Sequence, residues 1–368
     1  MDKLYEDVAA AKKFPFWATT AEVANDEVRQ LMATAKAVPY VWSYDEIIAP
    51  LLQRSAELVS MSDSERRSLI LINPGLAPRR ATVTTMYTAY RLNDPHEVMP
   101  PHRHSPNAIR FGLTGASNFT GVEGEDIVFG PGDMVLTPHD TWHNHGNKGS
   151  EPAVNLSVLD LPLVETLNAI YFEHDYKEEE DGALQKRKEQ TARFRNDYSK
   201  RIYGRGGLKP HFVSHERGTG AASPMYVYRW EPMRAFLEEN RDADGDPYDA
   251  LKIEYVDPTN GQPVFPTITF FAQMLRPGER TRPLKQTANL LVAPFEGGPG
   301  HSIVDGARHD WAKFDTLAVP GGSWLEHVND TEAPIVLFVA SDEPTLKKVG
   351  LYKRWGRAPG GDVVALAG

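Results

Sequence analysis

Between about Arg67 and Pro162 the chain is written in short runs of Val, Ile, Thr and aromatic residues broken by Pro and Gly: TVTTMYTAYRL, NAIRFGL, NFTGVEG, DMVLTP and AVNLSVLDL. Runs this short, punctuated this often, predict an all-β domain of sandwich or barrel type. A second β-rich region of the same texture extends from about Met225 to Asp342. Ahead of both, residues 1 to about 60 carry helical spacing around Ala21–Ala35 and Tyr44–Val59, separated by the extended AVPYVW, and predict a helical arm. The charged run from Lys177 to Arg201 predicts a solvated connector helix, followed by the Gly-rich GRGGLKP and GTGAASP. The expected organisation is an arm over 1–60, a β domain over 61–165, a connector over 166–220, a second β domain over 221–345 and a tail over 346–368.

The second β region repeats the first. A shift of 182 residues, the distance from Pro138 to Pro320, aligns them without a gap. Pro101, Asn107, Gly115, Asp133, Trp142, His145, Asn147, Asp160 and Pro162 then meet Pro283, Asn289, Gly297, Asp315, Trp324, His327, Asn329, Asp342 and Pro344. Such self-similarity marks a duplicated structural unit. A chain of 368 residues has room for two cores of that size.

Composition narrows the chemistry. A net charge of -10 argues against a polyanion-binding surface, so nucleic acid is not an expected partner. With no Cys, disulfides, thiolate metal sites and Cys nucleophiles are excluded, and a metal must rest on His or carboxylate. The start, MDKLYEDVAAAKK, is charged where a secretory signal needs an apolar stretch, and no long apolar run occurs. A cytoplasmic protein without membrane contact is expected.

His102 and His104 are separated by one residue, so on a strand both point to one face; His143 and His145 stand in the same relation after the strand DMVLTP. Inward-facing residues of different strands converge inside a small barrel, and imidazoles can meet there. Under the 182-residue shift His102, His104 and His143 become Leu284, Gln286 and Leu325, while His145 persists as His327. The three residues lost from the second copy are therefore the candidates for a function confined to the first. Imidazole suits zinc, copper, iron and nickel alike, so ligand type leaves the metal open.

The segment Pro101-His102-Arg103-His104, then Gly130-Pro131-Gly132-Asp133, Pro138 and His143 with Asn147, resembles the two cupin motifs. The usual pattern has a Glu four or five residues after the second His, where this chain has Ala108 and Ile109, so a three-His site remains. Together with HRHSPNAIRF, the upstream Asn73–Leu76 (NPGL), the corner at Asp160–Pro162 and a second, degenerate cupin, it resembles the gentisate and salicylate 1,2-dioxygenases. The resemblance implies an all-β core of two cupin (jelly-roll β-barrel) domains in one chain, with the helical arm and helical connector around them. It implies one Fe(II) per chain on His102, His104 and His143, a small aromatic acid and O2 as partners, and a homotetramer. The reaction it implies opens a 2-hydroxybenzoate between the carboxyl- and hydroxyl-bearing carbons, giving a 2-oxo acid.

Around that site, Arg110 lies an even six residues after His104, a spacing that returns it to the inward face, and the resemblance places it against a carboxylate or oxygen intermediate. His145 shares a face with His143 and is a candidate to relay a proton or steer the phenolate, although its survival as His327 fits a structural bond as well. Asn107, repeated as Asn289, is expected to be structural. Tyr87, Ala89 and Arg91 alternate on the preceding strand and are expected to line one wall. Arg66 matches a family Arg near the substrate carboxylate, with Arg67 as the competing choice. Gentisate-cleaving relatives carry an acidic residue three positions before the corner Asp, where this chain has Ser157; salicylates with hydrogen, halogen or nitro at C5 are then expected, with Arg91 a candidate partner for a polar substituent. Rival expectations are a non-catalytic bicupin, a 1-hydroxy-2-naphthoate dioxygenase, or a cupin enzyme with another metal, the last disfavoured by the missing Glu.

Overall fold

The computed structural model describes residues 2–11, 13, 36–59, 67–215, 217 and 220–367. Helix Asp2–Ala10 belongs to a separate compact unit, Met1–Lys36; everything below concerns the unit Ala37–Gly368. The expected helical pattern at Ala21–Ala35 and the candidate Arg66 lie outside the described residues.

The two β regions form two cupin domains. In the first, a six-stranded antiparallel sheet has the order Val227–Tyr228, Met134–Thr137, Ala108–Thr114, Ala153–Leu159, Tyr87–Asn93, Ser68–Ile70. It faces a three-stranded sheet of Glu125–Phe129, Asn118–Val122 and His143–Asn147. In the second, strands Thr269–Leu275, Leu290–Glu296, Gly300–Val304, Ala307–Trp311, Thr316–Val319 and Ile335–Ser341 repeat the first-domain strands at the 182-residue shift, end for end. Period-2 alternation divides the central strands between two environments. Ile109, Phe111, Leu113, Leu156 and Val158 enter a core shared with Phe270, Met274 and Phe338, while Arg110, Ser157 and Leu159 line a cavity inside the first domain. Phe111 stacks on Phe338 at 4.0 Å, so the large sheets pack face to face and the inner wall of the first cavity is backed by the second domain.

Each domain also lends a strand to the other. Tyr40–Trp42, from the arm, pairs with Thr316–Val319, and Val227–Tyr228 pairs with Met134–Thr137. The pattern expected around Tyr44–Val59 is helical, a π-turn at Tyr44–Ile48 running into the α-helix Ala49–Leu58. The corner residues close a reciprocal clamp. The Asp160 carboxylate accepts from Asn107 N and Nδ2 (2.8 and 3.0 Å) and from Thr267 Oγ1 of the second domain (2.5 Å); Asp342 accepts from Asn289 N and Nδ2 (2.8 and 2.7 Å) and from Thr85 Oγ1 of the first (2.5 Å). Asn107 thus has the structural role its repetition suggested.

One expectation is corrected. The run from Lys177 to Arg201 is not a helix: Lys177–Glu180 and Ala183–Lys186 form a hairpin, and helix begins only at Tyr198–Tyr203. Asp181 and Gly182 both have positive φ, 52 and 78°, the two-residue Asp-Gly turn that matches strand twist and overrides the helix-favouring Glu and Lys. The tail adds two strands: Arg354–Arg357 pairs with Leu284–Gln286, and Val363–Leu366 extends that sheet.

The clamp carries a stability prediction. Asp160→Ala leaves the buried Asn107 amide and Thr267 hydroxyl without their acceptor, and unfolding in urea is expected to cost about 1–3 kcal/mol less. Asp342→Ala is expected to match it, because Asn289 and Thr85 are partners of the same kind. A change below about 0.5 kcal/mol in either variant, the range of ordinary surface substitutions, would show that the clamp is not a stabilising contact.

Candidate metal centre

His143 opens strand His143–Asn147, and His102 bridges to it by reciprocal backbone bonds of 2.9 Å. His104 follows on the short strand Arg103–His104, and all three rings are 4% exposed or less. Ring centres are 4.4 Å apart for His102 and His143, 4.7 Å for His104 and His143, and 5.7 Å for His102 and His104. Each Nδ1 faces a backbone carbonyl: Pro100 O for His102 (3.2 Å), Pro106 O for His104 (2.9 Å) and Thr141 O for His143 (2.8 Å). A carbonyl only accepts, so each Nδ1 carries a proton, and in the neutral ring the lone pair is left on Nε2. His143 Nε2 is buried with no hydrogen-bond partner. Burial, then the neighbouring His102 and His104, hold His143 well below the usual histidine range, so it stays neutral. A buried, neutral, unpartnered imidazole nitrogen beside two more of the same tautomer is a donor set that suits a divalent transition metal.

A second combination of rings is also close: ligating nitrogens of His102, His143 and His145 lie within 4.8 Å of one another. His145 is committed elsewhere, however. Its Nδ1 meets Thr120 Oγ1 at 2.9 Å and its Nε2 meets Arg110 Nη2 at 3.1 Å. A guanidinium only donates, so Nε2 must accept from it and its lone pair is taken. Burial, then the Arg110 cation, keep His145 well below the usual range. The second domain separates the two bonds. His327 keeps the first, to Ser302 at 2.8 Å, but Val292 stands where Arg110 would be. The Nδ1 bond belongs to the fold, and the Nε2 bond to the first domain alone.

Beside the rings lies a cavity of about 240 Å³. Tyr87, Ala89, Arg91, Arg110 and Ser157 all line it, as do His102 and His104, so the expected wall is assembled as the alternation required. Strand register sets Ser157 directly between Ala89 and Arg110. Arg67, the competing choice for Arg66, is turned away: it donates to Ala56 O and Val59 O at the end of helix Ala49–Leu58 and pairs with Asp94 and Glu97. Sequence reasoning missed Met99, Leu159, Leu161, Arg80 and Phe172. Leu159 was legible, continuing the alternation from Ser157. Phe172 was not: it reaches the site because the connector returns to pair with His104, bringing its ring to 5.4 Å from that imidazole and His174 to 5.9 Å from His102.

The cupin domain family matches residues 92–159, which hold all four clustered histidines. The chain is 32% identical to 5-aminosalicylate 1,2-dioxygenase of Comamonas sp over 98% of its length and 91% of that protein's. It is 32% identical to gentisate 1,2-dioxygenase of Streptomyces sp over 96% of its length and 94% of that protein's. Among solved structures, salicylate 1,2-dioxygenase of Pseudoaminobacter salicylatoxidans in its gentisate adducts superposes with a TM-score of 0.81 at 28% identity, covering 97% of this chain and 93% of that one. With two cupin domains, a first-domain histidine cluster and near full-length likeness to these enzymes, this chain belongs to the gentisate/salicylate 1,2-dioxygenase family of bicupin ring-cleaving oxidoreductases.

Proposed function

We propose that the protein binds one Fe(II) per chain on Nε2 of His102, His104 and His143 and opens salicylate-type 2-hydroxybenzoates between the carboxyl- and hydroxyl-bearing carbons. The observation that carries this reading is His143 Nε2, buried and unpartnered beside two rings whose Nδ1 protons, like its own, are turned to backbone carbonyls. When bound, ferrous iron supplies an acceptor for the carboxylate–phenolate pair and electrons for dioxygen chemistry. The chain's own residues do the rest. Arg110, held by His145 Nε2 and donating to Ile109 O at 3.0 Å, offers a guanidinium whose position is fixed before a substrate carboxylate arrives. Tyr87, Leu159, Leu161 and Phe172 give the ring an apolar slot that limits water near the reacting carbons. The second domain takes no metal; it backs the wall that carries Arg110 and Ser157. The helical arm, the connector and a homotetrameric assembly in the cytoplasm complete the picture by likeness to the family.

Ser157 directs the choice of substrate. Gentisate has a 5-hydroxyl that needs a partner in a buried pocket, at a cost of about 1–3 kcal/mol if unmet. Ser157 offers a hydrogen bond without negative charge, and no carboxylate is among the described residues lining the cavity. Salicylates bearing hydrogen, halogen or nitro at C5 are therefore the proposed substrates.

Replacing His102, His104 or His143 with Ala is expected to abolish both iron retention and oxygen uptake with substrate, whereas His327→Ala is expected to leave iron content unchanged. Metal analysis beside an oxygen electrode checks both; a His143→Ala protein that keeps iron and turns over refutes the ligand set. On a panel of gentisate, salicylate and 5-substituted salicylates, wild type is expected to favour the last two classes and Ser157→Asp to shift preference toward gentisate. A wild type that prefers gentisate at least a hundredfold, about 2.7 kcal/mol in transition-state binding, would return the chain to ordinary gentisate cleavage.

A further inference from the structure

The floor of the cavity is charged. Arg91 is 3% exposed and lines it, two residues along strand Tyr87–Asn93 from Ala89, the residue opposite Ser157. That spacing sets it roughly 7 Å along the strand from the row of Ala89, Ser157 and Arg110. Its Nη1 reaches Met99 Sδ at 3.8 Å, and Met99 N donates to His145 O at 2.7 Å, so the guanidinium lies at the level of His145, below the His102–His143 pair. This offset puts it away from a substituent that meets Ser157.

Arg91 is also held in place. Its Nε donates to Asn93 Oδ1 (2.5 Å), Asn93 Nδ2 donates to Asn118 Oδ1 (2.9 Å), and Asn155 Nδ2 donates to the same oxygen (3.2 Å). These amides are 3% exposed or less. At the 182-residue shift Arg91, Asn93, Asn118 and Asn155 become Gln273, Leu275, Gly300 and Leu337. The copy that lacks the three histidines lacks the floor cation and its amide frame too. The charged and titratable groups facing the cavity are Arg80, Tyr87, Arg91, His102, His104 and Arg110, with His145 behind Arg110. Arg80 is exposed and pairs with Glu165 at 3.1 Å, so the two guanidiniums that matter inside are Arg91 and Arg110, and no carboxylate is among the described residues lining the cavity, a setting that suits a substrate with two negative charges.

We propose that Arg91 is a specificity-determining residue that stabilises the ionised 2-hydroxyl oxygen of the substrate, so that the cavity takes salicylates as dianions even where the ring has no electron donor at C5. This rests on the ring-cleavage reading. The hydroxyl O–H bond breaks, its proton goes to solvent base, and the electron pair stays on oxygen beside the guanidinium. No redox change is involved. An oxygen held as phenolate pushes electron density into the ring, which an unsubstituted or nitro-bearing salicylate cannot draw from a 5-hydroxyl.

The probe is 5-nitrosalicylate, whose phenolate absorbs visible light and whose phenol does not. Bound under nitrogen to iron-loaded wild type, Arg91→Met and Arg91→Lys, and titrated with acid, its hydroxyl is expected to ionise about 1–3 pH units higher in the Met variant, with Lys restoring most of the difference. In oxygen uptake the Arg91→Met loss in kcat/KM is expected to be largest for salicylate, whose hydroxyl is least acidic, smaller for 5-chlorosalicylate and smallest for the nitro compound. An unmoved titration with equal losses across the panel would make Arg91 merely structural; losses confined to the nitro compound would make it a C5 contact; either overturns the proposal. Iron content is measured in each variant, and Arg91→Gln replaces Met if Met fails to fold. Should wild type cleave none of these acids, the ring-cleavage reading fails instead, and the anaerobic titration still decides what Arg91 does.

Discussion

Three hydrogen bonds from imidazole Nδ1 to the carbonyls of Pro100, Pro106 and Thr141 determine what this protein can do. Each takes a ring that is free to flip and to exchange tautomers and leaves it one orientation, with its basic nitrogen inward. Burial then keeps His143 neutral. Without these bonds the cluster would be ordinary buried histidine, satisfied locally. With them, each neutral ring keeps Nε2 as its donor atom, which the proposed metal site requires.

The surrounding structure maintains that arrangement. The strands carrying His102 and His143 are tied by reciprocal backbone bonds, and the opposite wall, carrying Arg110 and Ser157, packs its other face on the second domain. In the second copy Leu284, Gln286 and Leu325 stand where His102, His104 and His143 are in the first, while the clamp at Asp160 and Asp342 remains reciprocal. His145 sits at the junction of the two histories. Its bond to Thr120 is inherited by both domains, and its bond to Arg110 exists only where chemistry is needed.

Much of this was legible in the sequence because it rests on local periodicity. Alternation placed Tyr87, Ala89, Arg91, His102 and His104 on inward faces, and the internal repeat separated what the fold requires from what the site requires. What was not legible came from two sources. Glu- and Lys-rich composition suggested a helix at Lys177–Arg201, whereas the Asp181-Gly182 turn, a two-residue signal, prevails over it. Long-range returns carry no local mark at all. The pairing of Phe172 with His104, the exchange of Tyr40–Trp42 and Val227–Tyr228 between domains, and the turning of Arg67 toward a helix end depend on tertiary geometry that spacing cannot encode.

The central claim is that one metal rests on His102, His104 and His143 and not on the alternative set that includes His145. The most direct measurement is an anomalous difference map at the iron edge from crystals of the Fe(II)-loaded protein. The account predicts one peak per chain, within bonding distance of Nε2 of those three residues, with His145 still bonded to Arg110. A peak bonded to His145 in place of His104, or a second peak in the domain of His327, would contradict it.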